Sequence, residues 1–194
     1  MSRLRVAVLI SGRGSNMTAL VEAARDPACP YEVVVVVASR EDAQGLEAAR
    51  ALGVEALAVP SGPHGVDREG HERVVDAVLR ARGVELVALA GWMRLLTPWF
   101  VQAWAGRLVN IHPSLLPKYP GLKTHARALE AGDAEAGCTV HLVTEGVDEG
   151  PALAQARCPV LPGDTPETLA ARVLEIEHRL YPQALADYAR RLGA

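Results

Sequence analysis

Apolar runs and amphipathic stretches take turns along the chain, and their periods predict the elements. Arg5–Ile10 reads as a strand and Met17–Arg25 as a helix. Glu32–Ala38 is almost continuous valine, the composition of a parallel strand covered on both faces. Glu41–Leu52 and Asp67–Arg82 have helical spacing and stop at Gly53 and Gly83. Strands are expected at Val54–Val59 and Val84–Ala90. Thr97 then caps a helix to Ala105, with Pro98 in its first position. Arg107-Leu108-Val109 reads as one more short buried strand, leading into Asn110-Ile111-His112-Pro113-Ser114. This βαβ series predicts an α/β fold with a doubly wound, mostly parallel sheet.

After Gly121 the pattern changes. A short helix is expected at His125–Ala131, then strands at Cys138–Val143 and Leu153–Val160 around a Gly/Asp-rich loop, Glu145–Gly150. These strands form an antiparallel C-terminal extension of the sheet. Asp164-Thr165-Pro166-Glu167 opens a last helix whose core stripe is Leu169, Val173, Ile176 and Leu180. No repeat or linker interrupts the chain, so one domain is expected over 1–194.

Composition narrows the function. A chain of 194 residues that is 49% hydrophobic can bury a sizeable core. Its net charge of −3, with the signs interspersed, offers no basic stripe for nucleic acid. The longest apolar run, Val33–Ala38, is far too short to span a membrane. No secretory signal is legible, and Cys29, Cys138 and Cys158 form no CxxC, so a cytoplasmic protein is expected.

Candidate chemistry gathers at the strand ends. Pro113, Pro117 and Pro120 enforce an extended loop after Asn110 and His112. Alternation sends those two side chains to one side, where open parallel sheets place ligands. A turn asparagine beside a core histidine is the simpler reading. Asparagine occurs only at Asn16 and Asn110, each in a loop suited to chemistry, and this favours the functional one.

Ser11-Gly12-Arg13-Gly14-Ser15-Asn16, between the first strand and helix, suits a phosphate ester held by backbone N–H groups. The simpler reading is a tight turn capped by Ser15. Met17 stands where a dinucleotide fingerprint has its third glycine, and Ser39-Arg40 where it has an acid, although Arg40 suits a 2′-phosphate.

His71-Glu72 begins like HExxH, but Val75 replaces the second histidine, and no metal is expected. Asp148 is read either as solvated surface or as a partner folded onto His112, letting that imidazole act as an acid near neutral pH. Glu177 is expected at the rim of the last helix, with its carboxylate in water; the sharper reading is a buried acid that receives a ligand amine. Gly91-Trp92-Met93-Arg94-Leu95-Leu96 is either a core plug or a wall for a flat ring.

Taken together, Val6-Ala7-Val8-Leu9-Ile10-Ser11-Gly12, Ala90-Gly91-Trp92-Met93-Arg94, Val147-Asp148-Glu149-Gly150-Pro151 and above all Gly106-Arg107-Leu108-Val109-Asn110-Ile111-His112-Pro113-Ser114-Leu115-Leu116-Pro117-Lys118-Tyr119-Pro120-Gly121 resemble the phosphoribosylglycinamide formyltransferase family. The likeness runs on to Tyr181-Pro182. It implies a formyltransferase-type Rossmann-like fold that moves a formyl group from 10-formyltetrahydrofolate, a co-substrate, to glycinamide ribonucleotide, without a metal.

By position, the resemblance makes Asn110, His112 and Asp148 the catalytic trio. It makes Gly14, Ser15 and Asn16 the phosphate cradle and Glu177 the contact to the glycinamide amine. Arg68, Met93, Arg94, Leu95, Leu96 and Asn110 become the folate contacts. The phosphate-binding half is then about 1–105, and the catalytic and folate-binding half about 106–194. Small-molecule partners, no nucleic acid and no membrane are implied, with a monomer or homodimer. Formyltetrahydrofolate hydrolase and methionyl-tRNA formyltransferase share the donor. Each is expected to carry an extra domain, before or after this one, that the chain does not suggest. A noncatalytic nucleotide-binding module would leave the trio without a purpose.

Overall fold

Seven strands form one sheet in the computed structural model, which describes residues 3–193. Met1, Ser2 and Ala194 of the expected domain lie outside the described residues. The strands are β1 (Leu4–Ile10), β2 (Tyr31–Ala38), β3 (Ala56–Ala58), β4 (Leu86–Leu89), β5 (Leu108–His112), β6 (Glu135–Leu142) and β7 (Ala152–Pro159). They lie in the order β3-β2-β1-β4-β5-β6-β7. Every pair from β3 to β5 is parallel, and β6 and β7 join antiparallel, as the pattern predicts.

Helices cover both faces. Alternation along β1 sends Val6, Val8 and Ile10 to one core layer, shared with α1 (Ser15–Ala23), α2 (Gln44–Ala51), α5 (Thr124–Glu130) and α6 (Pro166–Leu192). Ala7 and Leu9 point to the other layer, beneath α3 (Arg68–Arg80) and α4 (Pro98–Ala103). The chain doubles back between β1 and β4, so the loops after these strands, Ser11–Gly14 and Gly91–Thr97, flank the topological switch point.

The departures from the predicted elements have local causes. The helix expected from Glu41 begins at Gln44, because Arg40 and Asp42 pair within the turn at 2.6 Å and Ala43 is extended. The strand expected to stop at Val109 continues through His112, since β6 pairs Asn110 with His141 and His112 with Thr139. A single 3₁₀ turn, Gly62–His64, precedes α3. Gly53 and Gly83 follow their helices with φ of 79° and 59°, which a side chain would strain.

The start of α6 is held by side chains. Thr165 and Thr168 form a reciprocal capping box. Asp164 accepts from the Leu161 N–H at 2.7 Å and from Arg172 at 2.6 and 2.9 Å. Hydrogen bonding to the Arg172 guanidinium, chiefly, holds the Asp164 carboxyl well below the usual carboxylate range. The buried line of α6 runs Leu169, Val173, Glu177, Tyr181 and Leu185, while Ile176 and Leu180 are only partly buried. Tyr181 ties the helix to the sheet, its hydroxyl shared between the carbonyls of Leu89 and Val109 at 2.9 and 3.1 Å.

A depressed native pKa stabilises above the ordinary carboxylate pKa of about 4 and ceases to as pH falls through that range and below. Asp164→Asn should therefore lower the melting temperature at pH 7, with the deficit shrinking steadily toward pH 3. Equal deficits at both pH values in thermal melts would show that charge at Asp164 plays no part.

Candidate active site

The β5–β6 pairing assembles the first part of the site. Val109 and Ile111 enter the layer under α6, so Asn110 and His112 emerge together on the opposite face, beside Thr139 and His141 of β6. His112 is buried, with Nδ1 3.3 Å from Asp148 Oδ2 and Nε2 donating to the Tyr119 carbonyl at 3.0 Å. Both ring nitrogens thus face oxygen atoms. Asp148 is steered by the Gly121 N–H, which donates to Oδ2 at 2.8 Å, and by its own left-handed backbone, φ 56°. Of the two readings of the acidic loop, Asp148 folded onto His112 is the one seen.

His141 is a site residue that sequence reasoning passed over. Its Nδ1 donates to the Leu142 carbonyl at 2.9 Å, leaving Nε2 to accept from Asn110 Nδ2 at 3.3 Å. Burial, above all, pushes its pKa down and keeps the ring neutral, the form an accepting nitrogen requires. Thr139 is the other omission: it accepts from the Leu116 N–H at 3.1 Å and donates to the Ser114 carbonyl at 2.7 Å. These bonds, with Gln155 Nε2 on the Leu116 carbonyl at 2.8 Å, anchor the loop that brings Tyr119 over His112. Their signal was present in Cys138-Thr139-Val140-His141-Leu142, where polar residues alternate through a strand.

The second part lies at the end of β1. Gly14 has φ 74° and is the N-cap of α1, so Ser15 is the first helical residue and not the cap. No side chain caps α1 and no acid stands in its first turn, which leaves its leading N–H groups to an anion. A side chain at Gly14 would press on Met17 and on the backbone of Gly45. Behind this cradle Asn16 Nδ2 donates to Glu177 Oε2 at 2.7 Å, while Asn16 Oδ1 is buried with no partner among the described residues. The rim position expected for Glu177 is wrong: the residue is 7% exposed, because it occupies the middle of the buried stripe. Burial raises its pKa, and the Asn16 bond offsets part of the rise.

The loop after β4 resolves its two readings by alternation. Trp92 and Leu96 pack into the core beneath α3 and α4, whereas Met93 is 77% and Leu95 61% exposed. The Met93 N–H donates to Ser11 Oγ at 2.9 Å, linking this apolar shelf to the phosphate-type loop. Arg94 is half-buried, and Arg68 is exposed at the first turn of α3. Leu122 and Val147, each next in sequence to a partner in the Gly121–Asp148 bond, also expose apolar side chains. Arg40, the alternative phosphate contact, is instead held by Asp42. Among the described residues no cluster of three His, Cys, Asp or Glu suits a metal ion, and no helix is long and apolar enough to cross a membrane.

The chain is similar to proteins of known activity. The sequence pattern of the formyl transferase family matches residues 4–185. The Escherichia coli (strain K12) phosphoribosylglycinamide formyltransferase is 43% identical over 186 residues, covering 96% of this chain and 87% of that protein. The trifunctional purine biosynthetic protein adenosine-3 of Drosophila pseudoobscura pseudoobscura is 48% identical over 186 residues, and this chain spans only 14% of its length. Among solved structures, phosphoribosylglycinamide formyltransferase from Brucella melitensis superposes with a TM-score of 0.92 at 53% identity, covering 97% of this chain and 96% of that one. The parallel sheet with its antiparallel extension is therefore the fold of these enzymes.

A raised carboxyl pKa favours the protonated native state, so the stability it confers is complete below the unfolded value and lost as pH rises through the folded one. Glu177→Gln keeps an acceptor for Asn16 and removes the charge. The variant should match the parent's stability near pH 4 and exceed it at pH 7, as read by denaturant unfolding. A variant less stable at pH 7 would overturn this account of the buried acid.

Proposed function

The chain belongs to the formyl transferase family, and from that premise we propose that it transfers a formyl group from 10-formyltetrahydrofolate to the amine of glycinamide ribonucleotide, in de novo purine biosynthesis. The observation that carries the reading is the assembly of Asn110, His112 and Asp148 at one strand end. A cradle for a phosphate lies beyond it, at the end of β1. Gly14, Ser15 and Asn16 hold the phosphate of the ribonucleotide, and Glu177 its amine end. The orphaned Asn16 Oδ1 suits a donor on the same molecule.

The donor takes the other side. Met93 and Leu95 present apolar surface to a flat ring, the backbone through Leu96 meets its edge, and Arg94 and Arg68 answer its carboxylates. The catalytic groups come from residues 106–194 and the phosphate site from residues 1–105, while Arg68 answers the donor from the first part of the chain. Glu177 and the Met93 loop cross that division. Both partners are small molecules, and the place of action is the cytoplasm.

The amine nitrogen attacks the formyl carbon, forming an N–C bond and a tetrahedral oxyanion. Asn110 and His112 donate hydrogen bonds to that oxygen, the kind of preorganised stabilisation that is usually the largest catalytic contribution. The Tyr119 carbonyl, now accepting from His112 Nε2, is the group the oxyanion would replace. Asp148 keeps the imidazole oriented through Nδ1, and His141 keeps the Asn110 amide turned the right way. The bond from carbon to N10 then breaks, and the proton lost by the attacking nitrogen reaches N10 through His112 or a bound water.

Asn110→Ala and His112→Ala should each lower kcat by roughly 10²–10³, the usual cost of one such donor, with a smaller effect on either KM. The assay follows tetrahydrofolate release with and without glycinamide ribonucleotide. Turnover that needs the ribonucleotide supports the transfer; release without an acceptor would mean a hydrolase.

A further inference from the structure

The His71-Glu72 pair lies between two ends of the apolar shelf. Glu72 is 3% exposed, and its carboxylate accepts from the Thr97 N–H at 2.8 Å and from the Thr97 hydroxyl. A buried carboxylate seldom survives without such partners, and both of its oxygens are committed to the residue where the shelf ends and α4 begins. His71 is fully buried, donates through Nε2 to the Val59 carbonyl at 2.8 Å, and stacks on Trp92 with centroids 5.9 Å apart and planes 13° apart. Its second nitrogen, Nδ1, and Trp92 Nε1 are both buried without partners. Two adjacent residues of α3 thus grip the start and the finish of one six-residue loop. Between the grips, Met93 and Leu95 stand out into solvent.

We propose that Glu72 and His71 are positioning residues for the formyl donor: by fixing Thr97 and Trp92 they hold Met93 and Leu95 at the height and tilt that a flat ring requires. The inference rests on the donor-side reading of this loop. Apolar side chains left exposed on an untethered loop would collapse onto the core, and an ordered shelf avoids that rearrangement on binding. Arg68 stands one turn before the pair on the same helix, so a shift of α3 would move the shelf and the tail contact together.

The test combines calorimetric binding of 10-formyltetrahydrofolate with steady-state kinetics in Glu72→Gln and Thr97→Val, and His71→Ala as the more disruptive change. Glu72→Gln should raise the donor Kd and donor KM roughly tenfold, the size expected for one charged hydrogen bond, and leave the ribonucleotide KM and saturated kcat within about twofold. Glu72→Asp should recover part of the loss. An unchanged donor Kd in a folded Glu72→Gln, or both KM values rising together, would overturn the proposal. If the parent binds the donor but transfers nothing to the ribonucleotide, the functional reading fails while the donor Kd still decides the clamp. If the parent does not bind the donor, the clamp falls with it.

Discussion

The antiparallel register between β5 and β6 is the constraint on which the site depends. The parallel pairing with β4 reaches only as far as Asn110, so without β6 the backbone at His112 would lie in a loop. Pairing Asn110 with His141 and His112 with Thr139 continues the ladder to the end of the strand and places four polar side chains on one face. Their direction is then set by alternation, since the residues beside them, Val109, Ile111 and Val140, are committed to the core. A one-residue slip would bury the histidines under α6 and turn valine toward the ligand. The loop after β5 follows from the same register, because Thr139 is where its Ser114 and Leu116 backbone is bound.

A second constraint runs across the sheet. Glu177 lies on α6, over the face opposite Asn110 and His112, and meets the end of β1 through its bond with Asn16. The molecule therefore keeps an ionisable group in the middle of an apolar stripe, at a cost in stability that grows as the carboxyl ionises. Such a cost at a site is the usual form of the trade between stability and activity. The Asn16 amide offsets part of it and, in doing so, leaves its own oxygen without a partner.

Three surfaces lie at the carboxyl ends of neighbouring strands: the bare N-terminus of α1 after β1, the shelf after β4 and the polar end of β5. Their linkages are short. Ser11 accepts from the Met93 N–H, its N–H donates to the Gly91 carbonyl at 3.0 Å, and its hydroxyl shares a hydrogen bond with the Ser39 hydroxyl at 2.7 Å. The phosphate-type loop and the shelf are thereby one hydrogen-bonded unit.

Much of this was legible in the chain. Unbroken valine in β2, glycines closing two helices, and Thr97 with Pro98 all follow from local sterics and capping, so periodicity and capping together located most of the elements and their parallel order. Asn110 and His112 stood out because asparagine occurs only twice and the two side chains share one side of a strand, whereas the acidic loop left the pairing of Asp148 with His112 open until the fold brought them together. What was not legible arises between elements distant in sequence. The burial of Glu177 depends on Asn16, 161 residues away, and the roles of His141 and Thr139 depend on which strand lies beside β5. The grip of His71 and Glu72 on the shelf depends on α3 packing over a loop 21 to 25 residues later in the chain. Local sequence determines φ, ψ and which face is apolar; only tertiary packing decides which buried polar groups find each other, because that is where water has been excluded and partners must be supplied.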